Sequence, residues 1–211
     1  MIIPLWIWII VALLVLGIAA AALFSSYENK KLTVEHYKVE SNKIPETFDG
    51  YRIVFLTDLH CAQFGEDNEE LLRKIDDCDP DVSLVGGDMV ISHESMDEEI
   101  PLSLMKRLAQ KYQVYYADGN HELKLARNEE VFGVRYKDYI HNLKECRVHH
   151  MSNETIVIQS ETGFISLTAF DLEKKYYQRF HVPQMPLSHM ESVVGRSPGN
   201  IFHILLAHNP N

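Results

Sequence analysis

The stretch RIVFLTDLH, Arg52–His60, decides how the rest of the chain is read. Four apolar residues in a row, Ile53 to Leu56, are expected of a β-strand buried on both faces. Asp58 and His60 follow directly, where an ordinary core strand would end in a turn. The spacing i, i+2 predicts that both side chains leave an extended segment on the same face.

Outward from that stretch, apolar runs alternate with helical patterns. EDNEELLRKIDDC carries Leu71, Leu72 and Ile75 at helical spacing behind a first turn of acids, and Pro80 stops it. DVSLVGGD is the next buried strand and ends in Gly86, Gly87 and Asp88. EEIPLSLMKRLAQKY reads as a helix with Pro101 in its first turn. QVYYADGNHE is a third strand, turning at Gly119. A charged helical stretch, Leu123–Leu143, leads to the β-like segments CRVHHM, ETIVIQ and FISLTAF, and IFHILLAH is the last strand. TVEHYKVE, Thr33–Glu40, alternates in polarity and predicts a half-exposed strand ahead of them. Strands alternating with helices predict an α/β fold, and the later consecutive strands predict a second sheet.

The polar residues fall at the carboxyl tips of these strands: Asp58 and His60, Asp88, Asn120 with His121, and His208 with Asn209. Ligands of α/β sheets bind outside those ends, so the four tips converge on one edge. Carboxylate, imidazole and amide donors suit a divalent ion such as Mn²⁺, Fe²⁺ or Zn²⁺. Taken singly, each motif is an ordinary cap or turn. Their joint order, each at a strand end, is what points to a site.

Lys plus Arg number 20 and Asp plus Glu 30, a formal charge of −10. That balance argues against a nucleic-acid partner, which needs a basic surface. It leaves room for a phosphate substrate, because a bound cation reverses the local field. Three cysteines without a CxxC spacing support neither a disulfide framework nor a zinc knuckle. Cys61 is expected to be a small buried residue beside His60.

The N-terminus differs from all this. Leu5 to Phe24 holds no charge and, as a helix rising about 1.5 Å per residue, reaches about 30 Å, the thickness of a hydrocarbon core. Trp6, Trp8 and Tyr27 suit the two interfaces. A cleaved signal peptide is the rival reading, although no Lys or Arg precedes the run. The side of the membrane stays open. The expected division is an anchor over 1–25, a linker and first strand over 26–50, and a domain carrying the strand-tip residues over 51–211.

TDLH, GGD, GNHE and LLAHNP, in this order and with these gaps, resemble the calcineurin-like metallophosphoesterase superfamily. The lead-in IPETFDGYRIVFLTDLH is similar to that of small, N-terminally anchored bacterial members, and the resemblance runs from about Lys43 to the end. It implies two mixed β-sheets packed as a sandwich and flanked by helices, here preceded by one transmembrane helix. It implies two divalent metal ions, with Asp58 and His60 on one, Asp88 bridging, and Asn120 and His208 on the other. His121 would face the substrate phosphate as general acid or transition-state stabiliser. The implied reaction is hydrolysis of a phosphoester, mono- or diester, by a bridging hydroxide, and the anchor adds a lipid-linked pyrophosphate as a substrate class.

The family continues with a Gly-His-x-His segment that supplies one ligand to each metal. This sequence reaches Asn211 without it, and the expectation is a fragment of a longer protein. None of His36, His93, His141, His149, His150, His181, His189 and His203 stands in that context, and the adjacent His149 and His150 are expected at the surface. Glu122 is expected as a first-turn acid, Asp171 as a loop acid, and Tyr176 and Tyr177 in a loop over the substrate. Two other readings remain: a metal-stabilised, non-catalytic binding or scaffold domain on a membrane, and a structural membrane protein whose strand-end acids are caps.

Overall fold

The computed structural model describes residues 4–28, 31–178, 183–197 and 199–208; His181 and Asn209 lie outside them. The chain divides into two compact units, residues 1–36 and 37–211. The first contains helix α1, Leu5–Glu28. Its Leu5–Ser25 portion has a mean hydropathy of 2.9 and is long and apolar enough to cross a membrane, a property that signal sequences share.

The second unit runs, in order, β1 (Ile53–Leu56), α2 (Glu69–Cys78), β2 (Val82–Val85), α3 (Glu99–Ala109), β3 (Gln113–Ala117), α4 (Asn120–Arg127), α5 (Glu129–Phe132) and α6 (Arg135–Glu145). Then come β4 (His149–Met151), β5 (Glu154–Gln159), β6 (Phe164–Phe170), α7 (Leu187–Val194) and β7 (His203–Ala207). Strands β1 to β4 form one sheet in that order, parallel throughout, with Leu56 opposite Val85 and Val85 opposite Tyr116. Parallel pairing in close register brings four carboxyl ends to one edge. Strands β5, β6 and β7 form the second sheet, antiparallel between β5 and β6 and parallel between β6 and β7.

The sheets pack face to face through alternate residues. Val82, Leu84, Ala117 and Met151 of the first meet Ile158, Ile165, Leu167, Ala169 and Leu206 of the second. The intervening residues Ser83 and Val85 are also buried, so β2 is covered on both faces. Helices α2, α3 and α6 bury Leu71, Leu72, Ile75, Leu104, Met105, Leu108, Tyr139 and Leu143. Each such apolar side chain contributes about 1.5–3 kcal/mol when fully buried. Helix α2 ends where Asp79 turns left-handed ahead of Pro80.

Four sequence expectations are corrected. Residues 33–40 form no strand among the described residues, because their alternation finds no partner edge. Strand β1 is half-exposed, with Phe55 at 55%, because it stands at the edge of its sheet; its apolar run marks pairing and not two covered faces. The helical stretch begins at Asn120, and Asn128 and Gly133 break it into α4, α5 and α6. Asn120 and His121 therefore open a helix instead of ending a strand.

The fourth correction concerns Asp58 and His60. They do not lie in an extended segment: both adopt left-handed φ angles, 55° and 50°, as do Cys61 and Asp88. Non-glycine residues there carry strain of order 1–3 kcal/mol each, a cost concentrated at functional sites. The two loops are tied together by main-chain bonds: Asp58 N–H to Gly87 O, His60 N–H to Asp88 O and Cys61 N–H to Met89 O.

Candidate metal centre

Glycine creates the space for the site. Gly87 has φ +90°, and a Cβ there would collide with the backbone of Gly119; a Cβ on Gly119 would strike Asp88. The GGD and GNH turns therefore touch main chain to main chain, which only glycine permits.

Asp88 sits where they meet, 2% exposed. Its Oδ2 lies 3.3 Å from His208 Nε2 and 3.9 Å from Nε2 of both His60 and His121. Its Oδ1 accepts the His121 main-chain N–H at 2.8 Å. Asp58 Oδ1 lies 3.5 Å from His60 Nε2 and 3.8 Å from His208 Nε2, and the Thr57 hydroxyl donates to Asp58 Oδ2 at 2.8 Å. Two overlapping clusters result, His60–Asp88–His121 and Asp58–Asp88–His208, sharing Asp88. Donors about 2.1 Å from an ion stand about 3.0–3.4 Å from one another, so this spacing and donor set fit divalent cations with little adjustment. Asn120, partly buried, is the first residue of α4, immediately before His121.

The charges agree with that picture. Burial works to raise the Asp88 carboxyl, but the His208 hydrogen bond and the His121 N–H outweigh it and hold it below the usual range. Burial opposes protonation of His208, yet the Asp88 carboxylate pushes it up to about 9. Burial keeps His121 below the ordinary imidazole value.

A second row of buried polar groups stands behind these residues, and most of it was hidden in the sequence. Glu122, fully buried, accepts N–H groups of Asp88 at 2.9 Å, Met89 at 3.0 Å and Gly119 at 3.0 Å, and the Tyr116 hydroxyl at 2.6 Å. It is a first-turn acid of α4, as expected, and also the clamp between the two glycine turns. Burial, then the charge of Asp118, pushes its carboxyl up to about 7. Asp118 takes a bond from His150 Nε2 at 3.0 Å and from the Tyr136 hydroxyl at 2.6 Å. His150 is therefore not a surface residue: its side chain is 8% exposed, while His149 turns outward at 41%. Asp118 directly follows β3 beside GNH, which is the available signal for it; Ser92, bonded to His121, has none.

The lesser candidates divide. Asp171 receives the Ser152 hydroxyl, and burial pushes its carboxyl up to about 6. Tyr177 donates to the His208 carbonyl at 3.4 Å, while Tyr176 is buried against Phe170 and Leu172. His93 is exposed. Cys61 is half-buried, and burial pushes its thiol up, away from the thiolate.

A comparison with curated proteins found no match. The family described as calcineurin-like phosphoesterase matches residues 51–211, from two residues before β1 onward. With that match over most of its length, the chain belongs to the calcineurin-like phosphoesterase family.

Proposed function

We propose that this protein hydrolyses phosphoesters at a centre of two divalent cations held by Asp58, His60, Asp88, Asn120 and His208, with His121 as proton donor. Family membership supports metal-dependent phosphoester hydrolysis in general. The observation that carries the finer reading is the Asp88 carboxylate, 2% exposed, within 3.3–3.9 Å of three imidazoles from three separate segments. A buried carboxylate in such company is matched by cations and not by solvent.

When bound, a pair of divalent cations supplies Lewis acidity toward phosphate oxygens and a water deprotonated near neutral pH. The protein's residues do the rest. Asp88 Oδ2 would be the donor that the two candidate clusters share, while Oδ1 fixes the start of α4 by accepting the His121 N–H. His121 presents Nε2 3.9 Å from Asp88 Oδ2, where it would protonate a departing alkoxide or stabilise charge growing on it. The division into anchor, 1–25, linker, 26–50, and catalytic domain, 51–211, belongs to the same proposal. An apolar helix long enough to cross a bilayer favours a substrate carried on a lipid, such as a lipid-linked pyrophosphate.

Metal analysis and turnover of a chromogenic phosphodiester by the full-length protein test the proposal. Two bound ions with turnover are expected. Ions without turnover would make the domain a binding module, and no ions would leave the acids as caps. Equal rates on soluble diesters and micellar lipid pyrophosphates would remove the lipid preference.

A further inference from the structure

His121 and His208 both present Nε2 to the Asp88 carboxylate, at 3.9 and 3.3 Å, yet their Nδ1 atoms meet opposite partners. Nδ1 of His208 lies 2.9 Å from the Gly86 carbonyl oxygen, which can only accept, so that nitrogen carries a proton and Nε2 is left to ligate. Nδ1 of His121 lies 2.8 Å from the main-chain N–H of Ser92, which can only donate. The Ser92 hydroxyl approaches the same nitrogen at 2.9 Å. With its lone pair taken by an amide proton, Nδ1 of His121 carries no proton, and the neutral ring holds its hydrogen on Nε2.

We propose that Ser92 is a positioning residue that locks His121 as its Nε2–H tautomer, making it a proton donor and barring it from cation ligation. Proximity alone groups His121 with His60 and Asp88 as a third ligand. The Ser92 amide argues otherwise: the nitrogen facing the site has no lone pair to offer, and the nitrogen with one is already occupied. The ring is fixed at several points. Its own main-chain N–H is held by Asp88 Oδ1 at 2.8 Å, and its ring packs at 80° to the His60 ring, 5.0 Å between centroids. Ser92 is 8% exposed, so its amide and hydroxyl reach Nδ1 from a largely buried position. Two donors at Nδ1 draw density from the ring and make the Nε2 proton easier to transfer. No proton is lost or gained in setting the tautomer; on transfer, the Nε2 proton passes to the departing alkoxide, which leaves as the neutral alcohol, and the imidazolate so formed takes a proton back from solvent.

The kinetic half of this inference rests on phosphoester hydrolysis; the tautomer does not. The test labels the full-length protein with ¹⁵N-histidine in detergent and reads ring tautomers by long-range ¹H–¹⁵N correlation, metal-free and zinc-loaded, assigning His121 with His121→Gln. A protonated Nε2 and bare Nδ1 on His121 in both states are expected. A proton on Nδ1, or loss of the Nε2 proton on zinc loading, would overturn the proposal. In the kinetic arm, Ser92→Ala should lower kcat about fivefold on a diester with an alkyl leaving group. It should leave a nitrophenyl diester nearly unchanged, because that leaving group needs no acid, and Ser92→Thr should restore the alkyl rate. An equal fall on both substrates, or on neither, would remove the role of the hydroxyl. The expected tautomer without turnover on any diester would defeat the proposed hydrolysis and leave the tautomer assignment standing.

Discussion

The carbonyl oxygen of Gly86 holds Nδ1 of His208 at 2.9 Å, and through that bond the second sheet delivers an imidazole to the edge of the first. The opposite nitrogen faces Asp88, whose carboxylate pushes the ring's value up to about 9. In the metal-free protein this raised value contributes stability that is fully present below about 6.5 and lost as pH rises through about 9. A cation must displace the Nε2 proton to bind. Calorimetry at pH 7.5 in buffers of different ionisation enthalpy should therefore show proton release on zinc binding, and affinity should climb with pH up to about 9. No release at pH 7.5 would mean that the Nε2 proton of His208 stays in place and that His208 is no ligand.

Asp88→Asn removes the charge that both clusters share. Turnover of the full-length protein should fall at least about 10²-fold, the scale of losing one preorganised electrostatic contact. Bound metal should fall with it. Full phosphodiesterase turnover in this variant would refute the assignment.

His121→Ala should reduce turnover by about 10²–10⁴, as removal of a general acid does, with metal content nearly intact. Elemental analysis decides the matter: loss of one ion would turn His121 into a ligand.

Glu122→Gln keeps the volume of a fully buried side chain and puts an NH₂ group where main-chain N–H groups of Asp88 and Gly119, or of Met89, now donate. Donor facing donor should cost about 1–3 kcal/mol, read as a lower urea midpoint. An unchanged midpoint would mean that the carboxylate does not clamp the two turns.

Asp171, pushed up to about 6 by burial, binds its proton more tightly folded than unfolded. Its effect on stability is therefore most favourable below pH 3.8 and fades as pH rises to about 6. Asp171→Asn should flatten the stability profile in that window and raise stability at pH 7. Parallel profiles for the two proteins between pH 4 and 6 would show that the carboxyl titrates normally.

The strand ends of this domain could be read from local pattern, since Leu56, Val85 and Ala207 stop where their apolar runs stop, and Asp58, Asp88 and His208 follow. The backbone at Asp58 and His60 could not, because an i, i+2 spacing assumes extension and the chain instead takes left-handed turns that its neighbours impose. Thr33–Glu40 alternates as a strand does, but pairing is a tertiary event that alternation cannot supply. His150 looked like one of two adjacent surface histidines until β4 placed it beside Asp118, 32 positions earlier. Long-range partners of this kind leave no periodic trace, and the same holds for Ser92 and His121.

Three main-chain bonds zip the Asp58–Cys61 loop to the Gly87–Met89 loop, and none of them involves a side chain. These three links therefore do not depend on which side chains stand at 58 and 60. Exchanging histidine for aspartate at 60, or the reverse at 58, ought to retune preference between softer and harder ions while the frame keeps its shape, which makes this loop pair a natural starting point for engineering altered ion selectivity.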